Sequence, residues 1–448
     1  MPESIRGGEL AALARAGGLR LIEPWFAPFA LVNGAALGLT PILLPVAASS
    51  DGVAHVGLVM GAFNLGAFAA PVVGGVADRF RAHRALAVVC AAAVAVSLWL
   101  FPLAGPVWQL VLALANGAGF AGAVTVANLL IVERRPRAEW NQRLGMLEAA
   151  LSVGQGAALF LSSWLATLSA RDGLFLGAIV PAAAIPLAAF LIPRVAGGPA
   201  AEARPADLAG GQSPGADTAG VQHHRLAFAG LVGEWGPASP SRVQHLAHRR
   251  PFTGITMLRG PFGWMLAAWI PAYAGTAVIF ALYPVLFQHA FGVPASSSSL
   301  AFAVIVLVSL PLFPLAAAVS QRRGPAMAMA GALAGRVVLL AALAALASVS
   351  RVPVVLPFAA FAGIMFAWSF LSVASPELTG QLLPGAEGDA QGLLNASSGI
   401  AGLLGSVLGG LVASHFGYAA ALAFGASATA LGLLIFVTTT LRHRRRSP

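Results

Sequence analysis

The chain has 448 residues, 58% of them hydrophobic and only 9% charged, with a mean hydropathy of +0.82. Soluble domains are about a quarter charged, and a soluble fold this apolar lacks the polar surface to face water. The formal net charge of +10 comes from arginine, because none of the 26 basic residues is lysine. Those arginines are spread along the chain rather than gathered on one soluble domain. Nucleic acid is therefore excluded as a partner, and the lipid bilayer is the expected surrounding.

In lipid every backbone polar group must be satisfied within the chain, so a long apolar run is a helix. The short segments of alternating polarity that build an outer-membrane barrel are missing. Windows of about 19 residues predict twelve segments. They lie near 24–47, 55–77, 85–103, 107–132, 144–168, 173–193, 261–290, 296–319, 325–348, 353–376, 390–414 and 418–441. With the N-terminus inside, one set of loops and tails holds 23 arginines and the opposite set holds 2, Arg171 and Arg351. Arg336 lies within a segment. Such an asymmetry is what the positive-inside rule requires of a correct span count. Both termini are expected in the cytoplasm, with the chain in the inner membrane of a bacterium.

The first residues, 1–23, carry Glu3, Arg6, Glu9, Arg15 and Arg20 and read as a cytoplasmic segment without a cleaved signal peptide. Residues 24–193 form one six-helix unit, 261–441 a second, and 442–448 a basic tail. Between the units, 194–260 opens with "GGPAAEARPADLAGGQSPGADTAG", a composition that cannot build a core. It continues with room for a short amphipathic helix and with His223, His224, His245 and His248, read as a solvated basic loop. The single cysteine, Cys90, sits in an apolar run and reads as a small buried hydrophobe. No metal-ligand spacing occurs, and a phosphate-binding loop needs a lysine that the chain lacks. Hence no cofactor is expected, and ATP-driven transport by this chain alone is excluded.

The two halves repeat one another. "QRLGMLEAALSVGQG" opens the fifth segment and "AQGLLNASSGIAGLLG" the eleventh, aligning Gly145 with Gly392 and Glu148 with Asn395. The joint after the second segment, "GGVADRFRAHR", is echoed after the eighth by "AAAVSQRRGPA", where Ser320 stands in the place of Asp78. Two pseudo-symmetric bundles around a midplane site are a common transporter architecture. At this point the chain resembles the major facilitator superfamily along its whole length. The family signature between spans two and three is G-x-x-x-D-R-x-G-R-R. Gly74, Asp78 and Arg79 match it, Arg81 replaces its second glycine, and His83 and Arg84 stand for its basic pair. The R-x-x-Q-G-x-G signature of proton-driven drug exporters is absent, since Ala113 to Gly119 reads "ALANGAG". Their Gly-Pro pair of span five is absent too, replaced by Ala158-Leu159.

The resemblance implies an all-α integral membrane protein, twelve helices in two six-helix bundles, working as a monomer by alternating access. It implies that Asp78 approaches the start of span eleven, near Gly388 to Gln391, as a latch between halves. Glu133, at the end of span four, is placed to pair with Arg79 or Arg84. Two roles are open to Glu148: a proton-coupling acid, or a structural partner of an arginine at the joint. Its place near the start of its helix favours the second. Arg336 either snorkels, pairs or faces the substrate. By the same resemblance spans one, four, seven and ten line the cavity. They offer Asn33; Asn116, Thr125 and Asn128; Tyr273, Thr276, Phe280 and Tyr283; and Met365, Trp368, Ser372 and Ser375. Those residues describe an aromatic pocket with a few hydrogen-bonding groups, for a small organic molecule with or without a coupled proton. An atypical efflux pump, a non-transporting receptor or assembly factor on the same fold, and a membrane-embedded enzyme are the rivals. The enzyme is weakened because no clustered His, Asp or nucleophile constellation occurs.

Overall fold

The computed structural model describes residues 23–135, 140–193, 258, 260–383 and 387–441. The 194–260 linker, apart from residues 258 and 260, and the 442–448 tail lie outside the described residues, as do the side chains of Asp78 and Glu133. Eleven helices are long and apolar enough to cross a membrane, and a bent pair brings the number to twelve. In chain order they are α1 (Phe26–Asp51), α2 (Val53–Ala77, helical on to Phe80), α3 (His83–Leu103) and α4 (Pro106–Ile131). Then come α5 (Arg143–Leu165), α6 (Ala170–Leu191) and α7 (Pro261–Phe291). The bent pair, Ala295–Ser309 and Leu312–Arg323, is α8 and turns by 48°. Last are α9 (Pro325–Ala347), α10 (Val355–Leu382), α11 (Gly392–Phe416) and α12 (Tyr418–Thr439).

Proline explains the breaks. Pro311 and Pro314 remove backbone donors beside the bend of α8. In α2 a 3-10 turn at Ala67–Ala69 and Pro71 interrupt the helix at the matching place. α1 carries a π turn at Ala35–Leu39, followed by Thr40. Exposed Trp99, Trp108 and Trp164 stand at the ends of α3, α4 and α5 opposite the arginine-rich loops. Tryptophan favours that depth, so these rings mark the membrane boundary on the arginine-poor side.

Packing repeats between halves. α1 packs on α5 and α6, and α7 on α11 and α12; α3 packs on α4 and α6, and α9 on α10 and α12; α2 packs on α4, and α8 on α10. Joining the halves, α2 meets α11 and α5 meets α8, two seams that exchange when the halves are exchanged. Both extensive seams use the arginine-poor parts of the broken helices, Val53–Gly66 of α2 and Ala295–Ser309 of α8. Beyond the breaks, Ala70–Phe80 packs on α4 and Leu312–Arg323 on α10, each inside its own half.

The turn that closes α2 accounts for a departure from the family signature. Arg81 has φ 49°, the one positive φ outside glycine among the described residues. The signature's glycine suits that left-handed position, and a side chain there costs about 1 kcal/mol.

Candidate functional site

At the α2–α11 seam the backbones touch. A Cβ on Gly410 would lie 2.8 Å from the Gly57 Cα, and one on Gly57 would strike the Ser406 carbonyl oxygen. Lipid gives helices no hydrophobic drive to associate, so close backbone approach at small residues supplies the packing instead. Asn64 adds a hydrogen bond across the seam, its Nδ2 donating to Ser406 Oγ at 3.2 Å. Across the α5–α8 seam Ser162 Oγ is hydrogen-bonded to Ser299 Oγ, and Ser299 Oγ donates to the Leu159 carbonyl at 2.8 Å. Both serines are fully buried. Sequence reasoning misses both seams, because small residues on an apolar helix carry no signal of which helix they face.

Inside the second bundle, three helices meet around a buried cation. Arg336 of α9 is 1% exposed, the largest fully buried side chain described. Its Nη1 donates to Thr276 Oγ1 of α7 at 3.1 Å, and its guanidinium carbon lies 5.4 Å from the Trp368 ring centre on α10. Tyr273 stands edge-on to Trp368 at 6.1 Å and tilts against Trp269 at 5.7 Å. Trp269 Nε1 donates to Ser398 Oγ of α11 at 2.8 Å. On α10, Trp368 Nε1 and Ser369 Oγ are buried without a hydrogen-bond partner among the described residues. Ser372, one turn on, is buried and donates to the Ser369 carbonyl at 3.2 Å. Arg336, Thr276, Tyr273 and Trp368 thus lie together, with Ser372 one turn further along α10. Met365 and Ser375 are buried on the same helix.

Tyr283 does not join them. Its hydroxyl donates to the Ser298 carbonyl at 2.8 Å, and its ring stacks on Phe361 at 4.3 Å beside Phe287 and Phe302. Phe280 packs in the same group. This corrects the expectation of a cavity residue: Tyr283 lies two turns nearer the arginine-poor end than Thr276, within a packed aromatic core.

Polar groups of the first bundle mostly tie helices together. Asn33 Nδ2 donates to the Leu151 carbonyl at 2.8 Å, joining α1 to α5. Asn116 Nδ2 donates to Thr40 Oγ1 at 3.3 Å, joining α4 to the residue after the π turn. Thr125 bonds back to the Ala121 carbonyl at 2.8 Å, and Asn128 is buried on the same helix. Glu148 differs from the expectation of a structural partner. Among the described residues it has no ion pair, and its Oε2 is buried without a hydrogen bond. Nearer in sequence, Arg135 and Arg143 are taken by another acid.

That acid is Glu23, just before α1. Arg135 reaches its Oε2 at 2.8 Å and Arg143 its Oε1 at 2.7 Å, and Trp25 Nε1 donates to Oε2 at 2.8 Å. Burial pushes the Glu23 carboxyl up, but these hydrogen bonds and the two guanidinium charges outweigh it and hold the group below its ordinary value. In the signature joint, Gly74 is buried, Arg79 lies over the Phe80 ring at 5.5 Å, and Arg84 is half-buried. The expected partners Asp78 and Glu133 lie outside the described side chains. In the second half Ser320 Oγ donates to Glu377 Oε2 at 2.7 Å. Glu377, near the end of α10, occupies the place that Glu133 has near the end of α4, a match that extending the repeat to span ten exposes.

Among the described residues no group of three or more His, Cys, Asp or Glu stands together as a metal site. No curated protein matches the chain. Solved structures share its fold at low identity. A point mutant of the nucleoside transporter NupG is 12% identical, with a TM-score of 0.68 over 93% of this chain and 98% of its own. A bacterial homologue of the human lysosomal transporter Spinster, inward-facing and occupied, is 14% identical, with a TM-score of 0.66 over 97% of each chain. A D-xylose-proton symporter is 14% identical, with a TM-score of 0.64 over 93% of this chain and 95% of that one. The family model described as Major Facilitator Superfamily matches residues 26–384 and 272–448. The chain therefore belongs to the Major Facilitator Superfamily, a family of multi-pass membrane transporters.

Proposed function

We propose that the chain is a secondary transporter that moves a small organic molecule across the inner membrane by alternating access. The observation that carries this reading is the placement of the two exchangeable seams. α2 with α11 and α5 with α8 close the arginine-poor side, while the segments beyond their breaks pack within their own halves. With the arginine-rich loops in the cytoplasm, this is a conformation closed to the outside. Rocking one half against the other would open these seams and bring the Asp78 end of α2 toward the start of α11. The site that both states would share is the midplane region of Thr276, Tyr273, Trp368 and Arg336. Glu148, with a buried oxygen and no arginine partner among the described residues, would be the acid that binds and releases a coupled proton.

Reconstituted protein in liposomes tests the reading, with a labelled solute chosen by a ligand-stabilisation screen. Wild type accumulates that solute under an inward proton gradient. Glu148→Gln loses accumulation but keeps exchange of internal for external solute. Flux indifferent to the gradient in both proteins contradicts proton coupling. A bound solute that is never moved contradicts transport.

A further inference from the structure

We propose that α2 and α11 keep a single antiparallel register in both closed states. In it Gly75 meets Gly392 on the arginine-rich side, as Gly57 meets Gly410 on the other, and the halves rock without sliding. The proposal rests on the alternating-access reading above and adds the pair of helix faces that closes the second side.

In an antiparallel helix pair, each residue gained along one helix is a residue given back along the other. The existing seam holds to one such register: Gly57 lies against Gly410, Asn64 against Gly402, and Phe68 against Gly399. Gly57, Gly61, Asn64 and Phe68 make one stripe on α2 by steps of three and four residues, and Gly399, Gly402, Ser406 and Gly410 make its counterpart on α11. At the end of the contact, the Phe68 ring comes within 3.2 Å of the place of a Gly399 Cβ. Seven residues further along each stripe stand Gly75 and Gly392. Gly75 follows Gly57 by 18 residues, and Gly392 precedes Gly410 by the same 18. Eighteen residues are five whole turns of regular helix. Both glycines therefore return to the seam face at equal distances from the glycine contact already made. In this conformation a Cβ on either of them meets nothing within 4 Å among the described residues. Beyond the 3-10 turn at Ala67–Ala69, Ala70–Phe80 packs on α4 instead. Glycine weakens a helix interior unless a close approach uses the space it leaves, and in lipid that use is contact with another helix. Gly75 is not the signature glycine, which is its neighbour Gly74 and is buried. The 3-10 turn stands between the two glycine positions of α2, and such a turn within a helix is a natural hinge.

Cysteine pairs in a Cys90→Ala background read the register in the full-length protein reconstituted in liposomes. Gly75→Cys with Gly392→Cys crosslinks under oxidation, because backbones that meet at glycines come within the separation a disulfide needs. Adding Gly57→Val, which cannot fit against Gly410 and so parts the arginine-poor side, speeds this crosslink about tenfold. Gly75→Cys paired with Gly388→Cys or with Ala396→Cys, one turn to either side, crosslinks about tenfold more slowly. A displaced pair that crosslinks as fast means that the helices slide, and overturns the single register. So does a Gly75–Gly392 crosslink that Gly57→Val leaves unchanged, or no crosslink in any pair. A bulky side chain gives a second reading that needs no cysteine at either glycine. Gly75→Leu keeps the arginine-rich side from closing, and lowers labelling of Asn64→Cys by an impermeant maleimide from the arginine-poor side about tenfold. Gly331→Leu fills equally open space on α9, which packs within the second half, and leaves that labelling unchanged. Equal labelling with and without Gly75→Leu overturns the contact at Gly75. If the register fails while a solute is still moved in liposomes, the transporter reading stands without it. If the in-register crosslink forms and responds to Gly57→Val but the reduced protein moves no solute, the register stands and the transporter reading falls.

Discussion

Gly57 of α2 and Gly410 of α11 meet backbone to backbone across the two halves, with a Gly410 Cβ position only 2.8 Å from the Gly57 Cα. Nothing larger than glycine fits unless the helices part. Gly57→Val therefore forces the arginine-poor seam open, at a cost in this conformation of about 1–3 kcal/mol. In a Cys90→Ala background, labelling of Asn64→Cys by a membrane-impermeant maleimide from the arginine-poor side rises about tenfold when Gly57→Val is added. Unchanged labelling contradicts the tight seam.

Arg81 holds a left-handed backbone conformation at the close of α2, where the family signature has glycine. Arg81→Gly relieves that strain and stabilises the protein by about 1 kcal/mol, less the entropy that glycine adds to the unfolded chain. A thermal melt in detergent reads the gain. A lower melting temperature means that the Arg81 side chain makes a contact worth more than the strain.

The Glu23 clasp has a pH dependence with a definite sign. Its folded-state carboxyl is held below the ordinary value of 4.5. A depressed acid contributes stability that is present above the unfolded value and is lost as pH falls through the folded one. Wild type thus loses thermal stability below about pH 4.5 relative to Glu23→Gln, which is less stable by about 1 kcal/mol near neutral pH and lacks this component. Parallel curves for the two proteins between neutral pH and acid contradict the clasp.

Asp78 and Ser320 occupy equivalent joints, and only the first is charged. If Asp78 latches onto the start of α11 in the opposite state, Asp78→Asn leaves insertion and topology intact but slows turnover by about tenfold, a loss of the ~1.4 kcal/mol that a partly buried charge at a helix N-terminus can supply. Ser320→Ala breaks a contact inside one half and changes turnover far less. Equal effects from the two substitutions contradict the latch.

The fold is legible to an unusual depth, because lipid leaves a chain few options. An apolar run must be a helix, so even the eighth span, broken at Pro311, is placed within a few residues. Helical spacing and the family's order of helices bring Thr276, Tyr273 and Trp368 to notice, but not that Arg336 of α9 reaches Thr276 and Trp368. What the sequence hides are facing relations. Ser162 and Ser299 are ordinary serines on apolar helices 137 residues apart, and no local pattern says that they touch. Tyr283 shares a face with Tyr273, but depth along that face, not the face itself, separates a packed core from a site. Sequence offers Glu148 an arginine of the joint after α2 as a partner, but does not show that Arg135 and Arg143 are reached by Glu23, more than 100 residues from both.

Alternating access is tested most directly at the Ser162–Ser299 contact. Their hydroxyl oxygens are within hydrogen-bonding range across the α5–α8 seam, so paired cysteines there meet the separation a disulfide needs. In a Cys90→Ala background, Ser162→Cys with Ser299→Cys forms the crosslink under oxidation. Transport in liposomes stops when the bond forms and returns on reduction, while each single variant is unaffected. Full flux with the crosslink quantitatively in place contradicts opening of this seam, and with it the account of transport by exchange between two closed sides.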